Sequence, residues 1–270
     1  MKKIIISLVL MSLSFYGCQQ NITLELPKYD PKVAVYCILN PTEYPFMTLN
    51  LSKSYYSYGD TTASFQFITT AKVYLTDQTA NTIDTLKLDS TNGSFKQWFY
   101  RGHHDPIAGH NYVANIYYNG KIINAETIVP LKVKIDSVGY IKLQDPNSLS
   151  IDYELHVYFH DIQGEANSYS ISSSQFTNYT SDLGFDGKQL EIIENLSDIF
   201  GYPPPPAPIT FSFQLNNYTT ATAKYLNDIN TQASSANDPL SQPVVIESNV
   251  NGGLGIFGAV TQTEVFVRIK

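Results

Sequence analysis

Of the 2 cysteines in the chain, Cys18 stands where covalent chemistry is done to a protein rather than by it. It follows Phe15-Tyr16-Gly17. Before these come Lys2-Lys3 and an apolar run from Ile4 to Tyr16, broken only by Ser7, Ser12 and Ser14. A basic start, an apolar middle and a small residue at the cleavage point make a secretory signal peptide. The run is too short to cross a bilayer, which takes ~20 residues. Its ending resembles a bacterial lipobox, with Phe15 where Leu is usual. Cleavage before Cys18 then leaves a sulfur that receives diacylglycerol. Several acyl chains anchor a protein stably, since each buried methylene contributes ~0.8 kcal/mol. The other cysteine, Cys37, lies in the strand-like run Val33–Leu39, where a free thiol behaves as a small hydrophobe. A Cys18–Cys37 disulfide in an oxidising compartment is the competing use of the pair.

The remaining reactive residue types do not assemble into a catalytic pattern. His103-His104-Asp105 with His110 could offer metal ligands, but the spacing is irregular, no thiol is near, and Arg101-Gly102 and Pro106 bound a solvent loop. His156 and His160 share one strand face about 13 Å apart, too far for one ion. No metal and no cofactor are therefore expected. Gly253-x-Gly255-x-x-Gly258 has the letters of a dinucleotide loop, but an alternating strand follows it where a helix is needed. With Asn249 and Gly252, these glycines read as a tight turn or bulge, fixed by Ser248-Asn249 side chains bonding to the backbone. No serine has a nucleophile-elbow context, and no carboxylate pair stands out for acid–base work. The chain is expected not to be an enzyme. Two aromatic clusters remain as contact candidates: Tyr55, Tyr56 and Tyr58 in a Ser/Gly-rich loop, and Trp98, Phe99 and Tyr100. At loop tips such rings stack on sugars or anchor a protein partner, and otherwise they pack over a core. Asp84-Thr85-Leu86, Asp89-Ser90-Thr91, Asp136-Ser137-Val138 and Asp60-Thr61-Thr62 resemble acceptor motifs of periplasmic O-glycosylation.

The elements that position these residues are strands. Aromatics make up 13% of the 270 residues, with 20 Tyr and 14 Phe, and flat rings suit a pleated, half-buried surface. Charged residues are only 15% and the formal net charge is -7, which argues against nucleic acid as a partner. Residues 1–17 read as the signal peptide and 18–31 as a lipidated tether. Residues 32–130 read as an immunoglobulin-like β-sandwich domain, with strands over Lys32–Asn40, Phe46–Lys53, Ala71–Thr76, Thr82–Leu88 and Ser94–Arg101. Asn119-Gly120 between Tyr112–Tyr118 and Lys121–Val129 predicts a type I′ hairpin, and Pro130 ends it. Residues 131–270 read as a second β-rich domain. In it Ile151–His160 alternates strictly, Tyr169–Ser172, Ile209–Leu215 and Thr263–Ile269 are further strands, and one helix falls near 219–234. Pro203–Pro206 with Pro208 reads as a stiff spacer.

The C-terminal third carries the most distinctive run. It comprises Lys224-Tyr225-Leu226, Asn237-Asp238-Pro239-Leu240, Gln242-Pro243-Val244, Glu247-Ser248-Asn249-Val250 and the glycines from Gly252 to Gly258. Together with Leu26-Pro27, Lys32-Val33, Ile128-Val129-Pro130 and Ile135-Asp136-Ser137-Val138, it resembles the family catalogued as domain of unknown function 4249, outer-membrane lipoproteins of Gram-negative bacteria. The resemblance implies lipid anchorage in the outer membrane, on either face, beside a TonB-dependent transporter. It brings no catalytic residues. The expected function is a non-enzymatic envelope lipoprotein accessory to such a transporter. The alternative is a surface glycan- or protein-binding module that acts alone.

Overall fold

The computed structural model describes residues 29–53, 66–93, 96–143, 152–172, 180–181, 184–196, 208–235, 242 and 244–269. Cys18, Tyr55, Tyr56 and Tyr58, and the proline run 203–206, lie outside them. Fourteen strands and one helix make the described chain all-β with a single helix, as its composition and alternation predict.

Alternation dictates the first strands. In β1 (Val33–Leu39), Val33, Val35, Cys37 and Leu39 point inward and are buried. β2 (Phe46–Leu51) pairs with β1 antiparallel, Val33 opposite Leu51. β3 (Lys72–Asp77), β4 (Thr82–Ser90), β5 (Trp98–Arg101), β6 (Asn111–Tyr118) and β7 (Lys121–Ile128) continue the wall in the order β1-β2-β5-β4-β3-β6-β7. At the β6–β7 turn Asn119 has φ 47° and Gly120 has φ 74°, the positive pair that a type I′ turn requires.

The second half builds two layers. β8 (Ile135–Leu143), β9 (Asp152–His160) and β12 (Gln189–Leu196) form a separate three-stranded sheet. β10 (Asn167–Ser172), β11 (Thr180–Ser181), β13 (Ile209–Thr219) and β14 (Leu254–Ile269) extend the large sheet to 11 strands. β12 has no counterpart among the sequence-predicted strands, and β14 begins nine residues before the predicted Thr263, at Leu254.

β14 joins the halves. Its first part runs parallel to β1, from Ala34↔Leu254 to Leu39↔Ala259, and its second part, from Val260 to Ile269, pairs antiparallel with β13. Just before it, Asn251 and Asn124 exchange both backbone hydrogen bonds, which closes the wall of β1–β7 upon itself. One core fills that wall and includes Phe257 and Ala259 of β14. A second core, with Tyr153, Leu155, Val157, Phe159, Tyr169 and Phe213, lies between the small sheet and β10, β13 and β14, and includes Val267 and Ile269.

The helix α1 (Thr220–Ser235) follows β13 with no linker. Thr219 caps it, its Oγ1 accepting the Thr222 N–H at 3.3 Å. α1 lies on the outer face of β14, so Ile256 to Thr261 are all buried: one side faces the core and the other the helix. The residues of α1 that are buried are Thr222, Ala223 and Asp228, while Leu226 and Ile229 are only partly covered.

Candidate functional site

The most built surface feature lies on the outer face of β1, β2, β4 and β5. Phe46, on β2, stands opposite Arg101 of β5, and Arg101 stands opposite Lys87 of β4. The rings of Phe46 and Phe99 meet at 4.5 Å between centroids. The Arg101 guanidinium lies 5.3 Å from the Phe99 centroid, and its Nε is 3.5 Å from an Asp89 carboxylate oxygen. A planar cation over an aromatic face is held flat and presents its remaining donors outward.

The β1–β2 loop brings Tyr44 to the same place. Asn40, which is buried, organises that loop: its Oδ1 accepts the Thr42 N–H and hydroxyl at 3.1 and 2.8 Å, and its Nδ2 donates to Gln262 at 2.9 Å. Gly102 then donates its N–H to Pro45 at 2.9 Å. A Cβ at Gly102 would come within 2.8 Å of Asp84 Oδ2 and 3.0 Å of Pro45, so only glycine lets these segments close.

Two grooves meet there. One of about 270 Å³ is walled by Tyr36, Ile38, Glu43, Tyr44, Phe46 and Arg101. The other, of about 390 Å³, shares Tyr44 and Arg101 and runs along Lys87, Leu88, Asp89 and His103. Tyr44 is 50% exposed, Tyr36 40% and Phe46 38%, an unusual concentration of accessible ring surface. Tyr36 leans toward Tyr225 of α1, 6.5 Å away, and burial raises the pKa of both phenols. Rings, one arginine and one glutamate suit recognition by stacking, hydrogen bonding and charge. They supply no nucleophile with a base beside it.

The sequence-predicted contact residues fare differently. Tyr100 is not at a loop tip: it is 2% exposed, and its hydroxyl donates to Ile68 O at 3.1 Å and accepts the Ala71 N–H at 2.9 Å. The triplet Trp98-Phe99-Tyr100 is a strand, so its side chains alternate and Tyr100 faces the core. Trp98 is half-buried at the other end of β5, with the Lys96 ammonium 4.7 Å from its ring. The residues that sequence reasoning missed, Tyr36, Tyr44, Phe46 and Arg101, come from three segments that only the sheet register unites.

The glycine run divides likewise. Gly252 (φ 78°) sits in the turn before β14, whereas Gly255 and Gly258 lie within the strand itself. Gly255 (φ 102°) would put a Cβ 1.9 Å from Val35 O, and Gly253 one 2.7 Å from Val33 O, so the close parallel approach of β1 demands glycine. Gly258 lets α1 down onto the sheet. Asn249 bridges to the strand through both amide atoms, donating to Phe257 O at 2.7 Å and accepting its N–H at 3.0 Å.

The histidines engage carboxylates. His103 Nδ1 is 3.1 Å from Asp84, whose other oxygen accepts the His103 N–H at 2.6 Å. His110 Nδ1 is 2.8 Å from Asp77, which also accepts the N–H groups of Thr79 and Ala80 at 2.9 Å each. These bonds pin the β5–β6 loop to the β3–β4 hairpin. Burial alone would raise the Asp77 and Asp84 pKa values, but the donors around each outweigh it and lower both. His156 lies between Glu191 and Glu154 at 2.7 and 2.9 Å, and the hydrogen bond it gives to the Glu191 carboxylate raises its pKa most. Among the described residues, no group of three or more His, Cys, Asp or Glu side chains could hold a metal ion. Cys37 is free and fully buried, and burial pushes its thiol up to about 12. Of the resembled glycosylation motifs, Thr85 and Ser137 are exposed but lie within strands.

An all-β architecture with one helix, closed by β14 and bearing an aromatic groove, defines a class of structure rather than an activity. The chain belongs to the family described as domain of unknown function (DUF4249), which matches residues 19–265. No curated protein and no solved structure matches it.

Proposed function

We propose that the protein is a lipid-anchored outer-membrane component that works by binding, as an accessory to a TonB-dependent transporter. The observation that carries the reading is the pair of confluent grooves sharing Tyr44 and Arg101. Exposed tyrosine and arginine around a ring cluster is the composition of interface hot spots. The anchor is assigned to Cys18, and the family resemblance supplies the transporter as partner. The reading supposes no catalysis: the thiol of Cys37 is sealed in the core, and the His–carboxylate pairs serve as loop and sheet contacts.

Detergent extraction followed by affinity purification through this protein tests the reading. A transporter is expected to co-purify with the native chain and to be lost from Tyr44→Ala/Arg101→Ala. If no outer-membrane transporter comes down with the native chain, the partnership is wrong. A second reading, glycan binding, is favoured by the exposed Tyr44 and Tyr36 rings flanked by Glu43 and Arg101, a layout that suits sugar stacking. Binding on a glycan array that disappears in Tyr44→Ala would favour it over the first.

A further inference from the structure

The chain enters the described structure at Tyr29, and its entry point is fixed. The Tyr29 hydroxyl donates to Ser52 Oγ, which also accepts the Lys32 N–H at 2.8 Å, while Asp30 lies 3.8 Å from Lys121. This entry end gathers the start of β1, the end of β2, the Asn119-Gly120 turn and the segment before β14. β5 runs antiparallel to β2, so its first residue Trp98, with Lys96 just before it, lies toward the same end.

The chemistry of that end is distinctive. Lys32, Lys53, Lys96 and Lys121 are exposed there. Lys72 and Lys121 wall an open groove of about 710 Å³ floored by Tyr74, Tyr117 and Ile122. Tyr117 is 43% and Ile122 58% exposed. Among the described residues, Asp30 lies against Lys121 there. A basic, aromatic end on a chain of net charge -7 is a segregation of charge. Lysine ammoniums attract anionic headgroups, and Trp and Tyr favour the membrane–water boundary.

We infer that this end is a membrane-contact face that seats on anionic phospholipid headgroups and holds the body upright on its anchor. The inference rests on Cys18 as the anchor. The stretch from Cys18 joins the body at Tyr29 and reaches at most about 3.6 Å per residue, so the entry end is where the tether meets the body and can bring it against the lipid. β14 carries the rest of the chain away from that surface, placing Tyr44 and Arg101 toward the far end of the first core.

The test uses the mature chain from residue 18 with Cys18→Ser, so that no acyl chain contributes. The probes are vesicles of phosphatidylcholine with and without phosphatidylglycerol. Partition onto the anionic vesicles is expected, with the emission of Trp98, the single tryptophan, quenched by headgroup-labelled lipid. Each basic residue near such a surface is worth about fivefold, so Lys53→Gln/Lys96→Gln/Lys121→Gln is expected to weaken partition about a hundredfold. The charge-matched control Lys132→Gln/Lys134→Gln/Lys142→Gln is expected to retain it. Equal loss in the two variants, equal binding to neutral vesicles, or unquenched Trp98 would overturn the inference. The anchor is read separately, by the mass of the N-terminal peptide of the native protein, so the failure of either idea is recognised without the other.

Discussion

Gly258→Ala is a small change with a large consequence. A Cβ there would stand 2.0 Å from Thr222 Oγ1 and 3.0 Å from Thr222 Cβ, where 3.4 to 4 Å is ordinary contact. Either α1 withdraws by about 1 Å or Thr222 turns away, and overpacking of this kind costs about 1–3 kcal/mol. Turning Thr222 also breaks the bond that its Oγ1 accepts from the buried Ala259 N–H at 3.0 Å, and its 2.7 Å contact with the capping Thr219 hydroxyl. An orphaned buried N–H costs about 1–3 kcal/mol more. The expected destabilisation is therefore about 2–6 kcal/mol, which at a urea slope of ~3 kcal/mol/M lowers the midpoint by ~1–2 M. Thr222→Ala alone loses the hydroxyl and costs about 1–2 kcal/mol. The double variant is expected to cost little more than that, because the atom the new methyl strikes is gone. The cycle, followed by circular dichroism in urea, should give a coupling energy close to the whole cost of Gly258→Ala, about 2–6 kcal/mol. Simple additivity, or a cost below about 1 kcal/mol for Gly258→Ala alone, would refute the close helix–strand approach as the reason for glycine.

Cys37 should resist thiol reagents at neutral pH and react only as the chain unfolds in denaturant, because burial holds the thiol protonated near 12. Asp77 and Asp84 have folded pKa values below 3.8, so the stability they contribute is complete above that pH and is lost as pH falls below it. Asp77→Asn should lower the neutral-pH melting temperature and flatten its acid-side decline, as thermal scans across that range would show. For His156 the sign is opposite: its folded pKa lies above 6.5, so its contribution is full below that value and fades as pH rises through the folded pKa. Glu191→Gln should move the His156 titration, followed by NMR, back toward lower pH.

Local rules carried far in this chain. Asn119-Gly120 specifies its hairpin through backbone torsion alone, and the alternation of Tyr153, Leu155, Val157 and Phe159 settles which side of β9 is inward. The helix was readable from its capping residues and period, within a residue at each end. What failed was whatever depends on distant neighbours. β12 puts Glu194 at a buried position, so its polar–apolar pattern is broken. The start of β14 looks like a loop because three of its constraints are glycines, and those glycines answer to Val33, Val35 and Thr222, which are remote in sequence. Tyr100 looks like an exposed ring because nothing local announces that its hydroxyl will meet Ile68 and Ala71. The grooves around Arg101 were invisible for the same reason: β2, β5 and the β1–β2 loop come together only by register.

The parallel pairing of β1 with β14 also sets an order of assembly. Translation makes this partner of β1 some 220 residues after it, so the first core stands with a gap along one side until Leu254–Ala259 arrives. Contacts so remote along the chain close slowly and late. The nascent N-terminal half must therefore be kept from sticking to its neighbours while it waits, and a chain cut short before β14 would lose both cores rather than one.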